Sequence, residues 1–351
     1  MNVIESIFGK DFGPSSLITE SFLLHGLTLN VTSNSTIIMN PILNLLHYFR
    51  SSVVTPDPSI HFHLLHYPIS EFLYFQSIHK EGHLLFDSEK EDELHLSREL
   101  GVKLKYLSWK EFYVADFESA GVLILNLFGG KGMGMFPDPA SIRPRIMANY
   151  IFLVGLSELL RSKDLFLIHA AALAKDGKGV LIPGFTRSGK TTLSIALLRG
   201  GFQFLSDDRP FLKKNEDGFE LLAFPEALDV TEQTLSFFPE LRRSLNHIFN
   251  SERYKKEFSV DKVYPNAILN ACCPKILLFP NIVDKEISQI KPLSKIEAIE
   301  KLLPHSLLVF EEKAAEKQFQ FLCQFVEEMD CYCLDFGRDL LEVDRVIEKV
   351  L

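Results

Sequence analysis

Several features are scarce in this 351-residue chain, and each scarcity narrows the field. Its five cysteines, Cys272, Cys273, Cys323, Cys331 and Cys333, form an odd set without zinc-site spacing, so they read as reduced thiols and not as a disulfide framework. Cys331 and Cys333 share one face of an alternating strand, an arrangement that packing explains. No apolar run is long enough to span a bilayer; the richest, Tyr150 to Leu160, contains Ser157 and Glu158 and suits a buried helix. Basic residues are in deficit, 37 Lys and Arg against 46 Asp and Glu for a net charge of −9, which argues against nucleic acid as a general partner. The opening residues, MNVIESIFGKDFG, lack the basic start, apolar core and small-residue cleavage site of a secretory signal. A cytoplasmic protein with no membrane partner is therefore expected. Hydrophobic residues are plentiful, at 46%, and the length suits two domains.

The most informative stretch is Gly179 to Asp208, GVLIPGFTRSGKTTLSIALLRGGFQFLSDD. Gly184, Gly189, Lys190 and Thr191 fill the G-x-x-x-x-G-K-[ST] pattern, whose backbone amides wrap phosphates, whose lysine reaches the outer phosphates and whose hydroxyl ligates magnesium. Val180 to Pro183 reads as a buried strand, and Thr191 to Leu198 as a helix closed by Gly200 and Gly201. Strand, loop and helix thus follow in the order that brings the positive helix end to a phosphate. Gly184, Phe185, Thr186, Arg187, Ser188, Gly189, Lys190, Thr191 and Thr192 are the candidate nucleotide-binding residues.

Phe202 to Leu205 reads as a second strand that delivers Asp207 and Asp208 seventeen residues after Lys190. That spacing holds one helix, one turn and one strand, which is a right-handed crossover to a nearby parallel strand. Both carboxylates would emerge at the carboxyl ends of the strands, where open α/β sheets bind ligands. One can hold magnesium with Thr191; the other can orient an attacking hydroxyl and take its proton.

Upstream, Leu165 to Ala174 and Gly179 to Pro183 flank Lys175-Asp176-Gly177-Lys178, and Asp-Gly is a two-residue hairpin signal. With Lys175 facing Lys178, His169 falls opposite Gly184 at the mouth of the loop. There it is either a packed core histidine or a phosphate-contacting, proton-handling one. The hairpin also places an antiparallel strand beside the loop strand.

The run from His169 through Asp208 resembles the catalytic domain of HPr kinase/phosphorylase and the wider HPr-kinase-like serine kinases, which share a phosphate-loop core with ATP-dependent phosphoenolpyruvate carboxykinase. His169, Gly184 to Thr191 and Asp207-Asp208 match the family's histidine, glycine loop and acidic pair. The resemblance implies an α/β fold with a mixed-sheet kinase domain, ATP and Mg2+ as cofactors, and Asp207, Asp208, Lys190 and His169 as catalytic residues. The chain departs from the family after the Asp217-Gly218 turn. There Leu222-Ala223-Phe224-Pro225-Glu226-Ala227-Leu228-Asp229 replaces the acidic, arginine- and glycine-containing signature of the phosphorolysis reaction. The resemblance is thus to the kinase-like relatives and not to an HPr kinase proper.

Residues 1–136 read as a small α+β domain of unassigned role, with Phe22 to Val31 and Val122 to Phe128 as strands and Pro41 to Arg50 as a short helix. His61 and His63 would share a strand face and His66 would fall on the other, so three metal ligands are not assembled there. Glu89 to Glu93 reads as a solvated charge run. Gly129-Gly130-Lys131-Gly132-Met133-Gly134 runs into Pro137 and Pro139 instead of a helix, so it reads as a linker, with the domain boundary at 136 and the catalytic domain at 137–351. A helix from Ile142 or Arg145 to Arg161 would then pack on the catalytic sheet.

Beyond the acidic pair, Phe211 to Lys213 and Phe219 to Phe224 read as a hairpin, and Glu226 is either a further metal ligand or a surface carboxylate. Arg242-Arg243 and Arg253-Tyr254-Lys255-Lys256 are the basic clusters that could meet a transferring phosphoryl group, or else a solvated surface. Lys275 to Phe279 and Glu286 to Leu293 read as strands, Ser294-x-x-Glu297 as a capping box, and Glu311 to Met329 as a helix.

Together these features point to an ATP-dependent kinase acting on a serine-like hydroxyl of a peptide, protein or small metabolite. The alternative is a nucleotide-binding switch or scaffold without turnover. Carboxykinase chemistry lacks a second metal-ligand set and an oxyacid-binding arginine cluster. Self-association of the chain is compatible with the sequence, which does not specify it.

Overall fold

The computed structural model describes residues 17–72, 74–89, 103–185, 187–246, 256–306 and 309–351. They form a mixed α/β structure in two compact units, Met1–Lys163 and Asp164–Leu351. Among the described residues no helix is long and apolar enough to cross a membrane.

The first unit is built on a nine-stranded mixed sheet, larger than the small domain expected from the sequence. Its strands are β1 (Ile18–Leu24), β2 (Leu27–Ser33), β3 (Arg50–Ser51), β4 (Ile60–His66), β5 (His83–Asp87), β6 (Lys105–Trp109), β7 (Phe112–Asp116), β8 (Val122–Asn126) and β9 (Lys131–Phe136), in the order β3-β1-β2-β4-β9-β8-β7-β6-β5. Helix α1 (Thr36–Leu45) connects β2 to its parallel neighbour β4, and α2 (Phe75–Glu81) precedes β5.

The glycine-rich run is not a linker. Its second half is β9, parallel to β4 and antiparallel to β8 in the middle of the sheet. Gly132 pairs with Phe62, and a Cβ on Gly132 would stand 2.3 Å from Phe62 Cε1. The glycine therefore makes room for a neighbouring ring, a standard reason for glycine inside a strand. The following helix is also reassigned. It comprises a turn at Pro144–Ile146, a π-helical segment Met147–Phe152 and α3 (Leu153–Arg161). A Cβ on its Gly155 would lie 3.0 Å from Leu123 Cδ1 and 3.2 Å from Phe62 Cε1, so α3 covers the first sheet, and the division between units falls after it. The start of the Glu89 to Glu93 charge run is described at Glu89; the rest lies outside the described residues.

The second unit contains β10 (Phe166–Leu167), β11 (Ala170–Lys175), β12 (Lys178–Pro183), β13 (Gln203–Ser206), β14 (Phe211–Asn215), β15 (Gly218–Leu222), β16 (Leu228–Val230), β17 (Leu245–Asn246), β18 (Lys256–Phe258), β19 (Ala271–Ile282), β20 (Gln289–Pro292) and β21 (Asp330–Phe336). The main sheet runs β10-β14-β15-β19-β12-β11-β13, with β21 beside β19 and β20 beside β21. The hairpin of β11 and β12 has the register read from the sequence, from Lys175 opposite Lys178 to Ala170 opposite Pro183. Strand β13 lies beyond β11 and antiparallel to it, so it runs parallel to β12 with β11 between them.

The expected single strand from Leu165 to Ala174 is interrupted. β10 pairs with β14 and β11 with β13, and the register Ala172 opposite Ser206 resumes at Leu167 opposite Phe211. The two form one long antiparallel pair that opens at Ile168–His169 and Asp207–Pro210. Backbone bonds from Ile168 N to Pro210 O (3.1 Å) and from Ala170 N to Asp208 O (3.2 Å) bracket the opening. The sheet path therefore closes on itself through this pair.

Strand alternation sends residues to two cores. Ala171, Leu173, Val180 and Ile182 join helix α4 (Lys190–Arg199) and Val343 and Ile347 of α7 (Val343–Glu348). Ala170, Ala172, Ala174 and Leu181 join Leu302 of α5 (Lys295–Leu302) and Leu322, Phe325 and Val326 of α6 (Glu312–Glu328). Both faces of the sheet are covered, as its apolar strands require. Ser294 caps α5 through the capping box with Glu297. All five cysteines are free, with Cys272 and Cys331 buried.

Candidate nucleotide site

The chain leaves β12 at Pro183, turns through residues 184–189 and enters α4 at Lys190. Gly189 caps this helix with φ +91°, and Arg187 stands at φ +71°; left-handed residues alternating with others in a turn direct amides inward, as in an anion-binding nest. Ser188 N donates to Phe185 O (3.1 Å) across the loop, while the Ser188 hydroxyl is buried without a partner. Lys190 Nζ donates to the carbonyls of Gly184 (2.5 Å) and Phe185 (3.3 Å). Thr186 lies outside the described residues.

Helix α4 then presents two hydroxyls one turn apart to a single carboxylate. Thr191 Oγ1 donates to Asp207 Oδ2 (2.6 Å) and Ser194 Oγ to Asp207 Oδ1 (2.9 Å). Removal from bulk water pushes the pKa of Asp207 up, against these two hydrogen bonds. The hydroxyl of Thr192 lies 3.4 Å from Thr234 Oγ1.

Asp208 is placed differently. The opening in the β11–β13 pair leaves it facing His169, whose Nδ1 stands 2.8 Å from Asp208 Oδ1. Arg209 Nε approaches Asp208 Oδ2 at 3.4 Å, and Arg209 Nη1 approaches Glu226 Oε2 at 3.6 Å. Burial alone would raise the pKa of Asp208, but the His169 hydrogen bond and the charges of Arg209, His169 and Lys190 outweigh it and hold the carboxyl below the usual range. Its side chain keeps 38% of its surface exposed. Since a carboxylate only accepts, the contact assigns a proton to His169 Nδ1. Ser206 Oγ accepts from the amides of Asp208 (3.3 Å) and Arg209 (2.9 Å), fixing the turn that carries both.

Glu226 and His305 complete the neighbourhood. Burial, with Asp208, Asp207 and Asp229 nearby, pushes the pKa of Glu226 up to about 8 against the pull of Arg209. Glu226 Oε1 is buried without a partner. His305 accepts from His169 N through its own carbonyl (2.8 Å). Its ring lies 4.5 Å from that of Phe185 and 6.0 Å from that of His169. It is 4% exposed, and burial, followed by the charges of His169 and Lys190, pushes its pKa down to about 4. Its Nδ1 has no partner.

The phosphate-loop pattern, the hairpin and the acidic pair pointed to Lys190 and Thr191, to His169, and to Asp207 and Asp208 from the sequence. Ser194 was not singled out from the sequence; its place three residues after Thr191, on the same helix face, is the signal that could have found it. Arg209 and His305 carried no pattern that separates them from a turn residue and a core histidine. Of the basic clusters, Arg242 and Lys256 both pair with Glu232, at 3.1 and 2.5 Å, and Arg253 to Lys255 lie outside the described residues. In the first unit, the rings of His61 and His63 lie 4.1 Å apart, while His66 Nε2 contacts Pro137 O at 3.2 Å. Among the described residues no group of three or more His, Cys, Asp or Glu side chains is arranged to hold a metal. Magnesium does not need such a group, because one or two protein oxygens with phosphate and water suffice. The Thr191 hydroxyl and the Asp207 carboxylate fit that donor set.

No protein-family model matches the chain, and no curated protein matches it. Among solved structures, the HPr(Ser) kinase/phosphatase from Coxiella burnetii is similar at 15% sequence identity over 52% of this chain and 94% of that chain, with a TM-score of 0.30. The likeness is distant, and the site stands on its own geometry.

Proposed function

We propose that the second unit is an ATP-dependent phosphotransferase that moves the terminal phosphoryl group to a serine-like hydroxyl of a peptide, protein or small metabolite. The observation that carries this reading is the division of labour in the acidic pair. Asp207 is tied to the loop helix through Thr191, and Asp208 is tied to His169 at the mouth of the same loop. A nucleotide-binding surface alone has no need of the second carboxylate.

In this reading the amides of residues 184–189 and Lys190 bind the phosphates. Thr191 and Asp207 hold magnesium, which neutralises the phosphates when bound. Asp208, ionised across the ordinary pH range, accepts the hydrogen bond of the incoming hydroxyl and orients its oxygen in line with the terminal phosphorus. The new O–P bond forms as the bond to the bridging oxygen breaks, ADP leaves, and the hydroxyl proton passes to Asp208 late in the transfer. His169 keeps the carboxylate aimed. The absence of the phosphorolysis signature at Leu222 to Asp229 supports forward transfer over the reverse reaction.

The test is incubation with γ-labelled ATP, magnesium and pools of peptides and hydroxyl metabolites, comparing wild type with Asp207→Asn and Asp208→Asn. Transfer that falls by orders of magnitude in Asp208→Asn, with nucleotide affinity kept, supports the reading. Equal transfer in both variants removes the carboxylate mechanism. Tight ATP binding without hydrolysis or transfer across broad pools favours the switch.

A further inference from the structure

The catalytic groups occupy one flank of the loop. His169 lies just before β11, and Asp207 and Asp208 just after β13, and both strands stand on one side of β12. On the other side stand β19 and β21, parallel to β12 and to each other. β19 ends at Ile282, paired with Phe336, the last residue of β21. Ile282 lies against the last turn of the loop: a Cβ on Gly189 would be 3.3 Å from Ile282 Cδ1 and 3.5 Å from Phe336 Cδ1. Yet 59% of Ile282 is exposed.

A nucleotide whose phosphates follow the loop amides, and whose terminal phosphate faces the acidic pair, must send its nucleoside toward the opposite flank. There the exposed branch of Ile282 is an apolar platform at the carboxyl ends of parallel strands, where such sheets bind ligands. The charges around it are already matched. Asp335 takes Asn281 Nδ2 (3.3 Å), Lys285 (3.4 Å) and Lys291 (2.6 Å), and Arg338 pairs with Asp284 and Glu286. A paired polar rim around an apolar centre suits the face of a heterocyclic base better than a charged group. Phe185 is also exposed, at 64%, but its ring leans on His305, beside His169 on the catalytic flank.

We infer that Ile282 is the platform on which the nucleobase of the bound nucleotide packs. This rests on the nucleotide reading of the loop, and the experiment separates the two. Binding of ATP and of inorganic tripolyphosphate, each with magnesium, is measured calorimetrically on the full chain and on Ile282→Ser, Ile282→Leu and Phe185→Ser. The wild type binds both ligands. Ile282→Ser weakens ATP about tenfold, the worth of one apolar side chain's contact, and leaves tripolyphosphate unchanged; Ile282→Leu restores ATP. Phe185→Ser leaves the ratio of the two affinities as it was. If Ile282→Ser alters neither ligand, or both alike, the platform is refuted while the phosphate loop stands. If the wild type binds neither ligand, the nucleotide reading falls and the platform with it.

Discussion

Thr191 Oγ1 donates a 2.6 Å hydrogen bond to Asp207 Oδ2, joining the first turn of the loop helix to the end of a strand two positions away in the sheet. The bond presets the two oxygens that the proposed metal requires. In Thr191→Ala, affinity for ATP with magnesium should fall by about 2 kcal/mol, the scale of a hydrogen bond to a charged group. Affinity for ATP without magnesium should stay near the wild-type value. Calorimetry with and without the metal checks this; equal losses in both would assign Thr191 to phosphate contact instead.

Lys190→Ala should weaken ATP by about 2 kcal/mol or more, because a charge-assisted contact to phosphate is lost. The same titration serves, and unchanged affinity would take Lys190 out of the site.

Glu226 gives a pH signature. Its pKa in the fold, about 8, lies above the ordinary 4.5, so the folded state holds the proton more tightly than the unfolded state does. The stabilisation is complete below pH 4.5 and is lost as pH rises through 8. Glu226→Gln cannot lose a proton, so its melting temperature should gain on the wild type between pH 5 and pH 9. Thermal melts at the two pH values measure the gap, and a gap that does not widen contradicts the raised pKa.

Gly132→Ala should destabilise the first unit by about 1–3 kcal/mol, the range for overpacking, because the added carbon would meet the ring of Phe62 at 2.3 Å. Chemical denaturation reads the loss. No loss would mean that the ring can move aside.

The loop, the hairpin and the acidic pair were legible because each is written in a short segment. Gly189 before Lys190, Asp176-Gly177 in a turn, and Asp207 after an apolar run all speak through local geometry. The segment from Gly129 to Gly134 misled for the same reason. Glycine marks a linker when only its neighbours are known, and the ring of Phe62, some seventy positions away, is what makes glycine necessary in β9. His305 reaches the backbone of His169 at the opening where β11 and β13 leave off the pairing that β10 and β14 resume. A break inside a paired register has no signature in either strand alone.

Lys190 Nζ reaches back along its own loop to the carbonyls of Gly184 and Phe185. A phosphate bound by the loop amides would compete with these carbonyls for the three donors of the ammonium. Each carbonyl bond given up would offset part of the new contact, so the net affinity would be less than the charge alone suggests. A ligand that offers several phosphate oxygens at once would offset such losses more fully than a single small anion, so the loop's own backbone would favour the larger ligand.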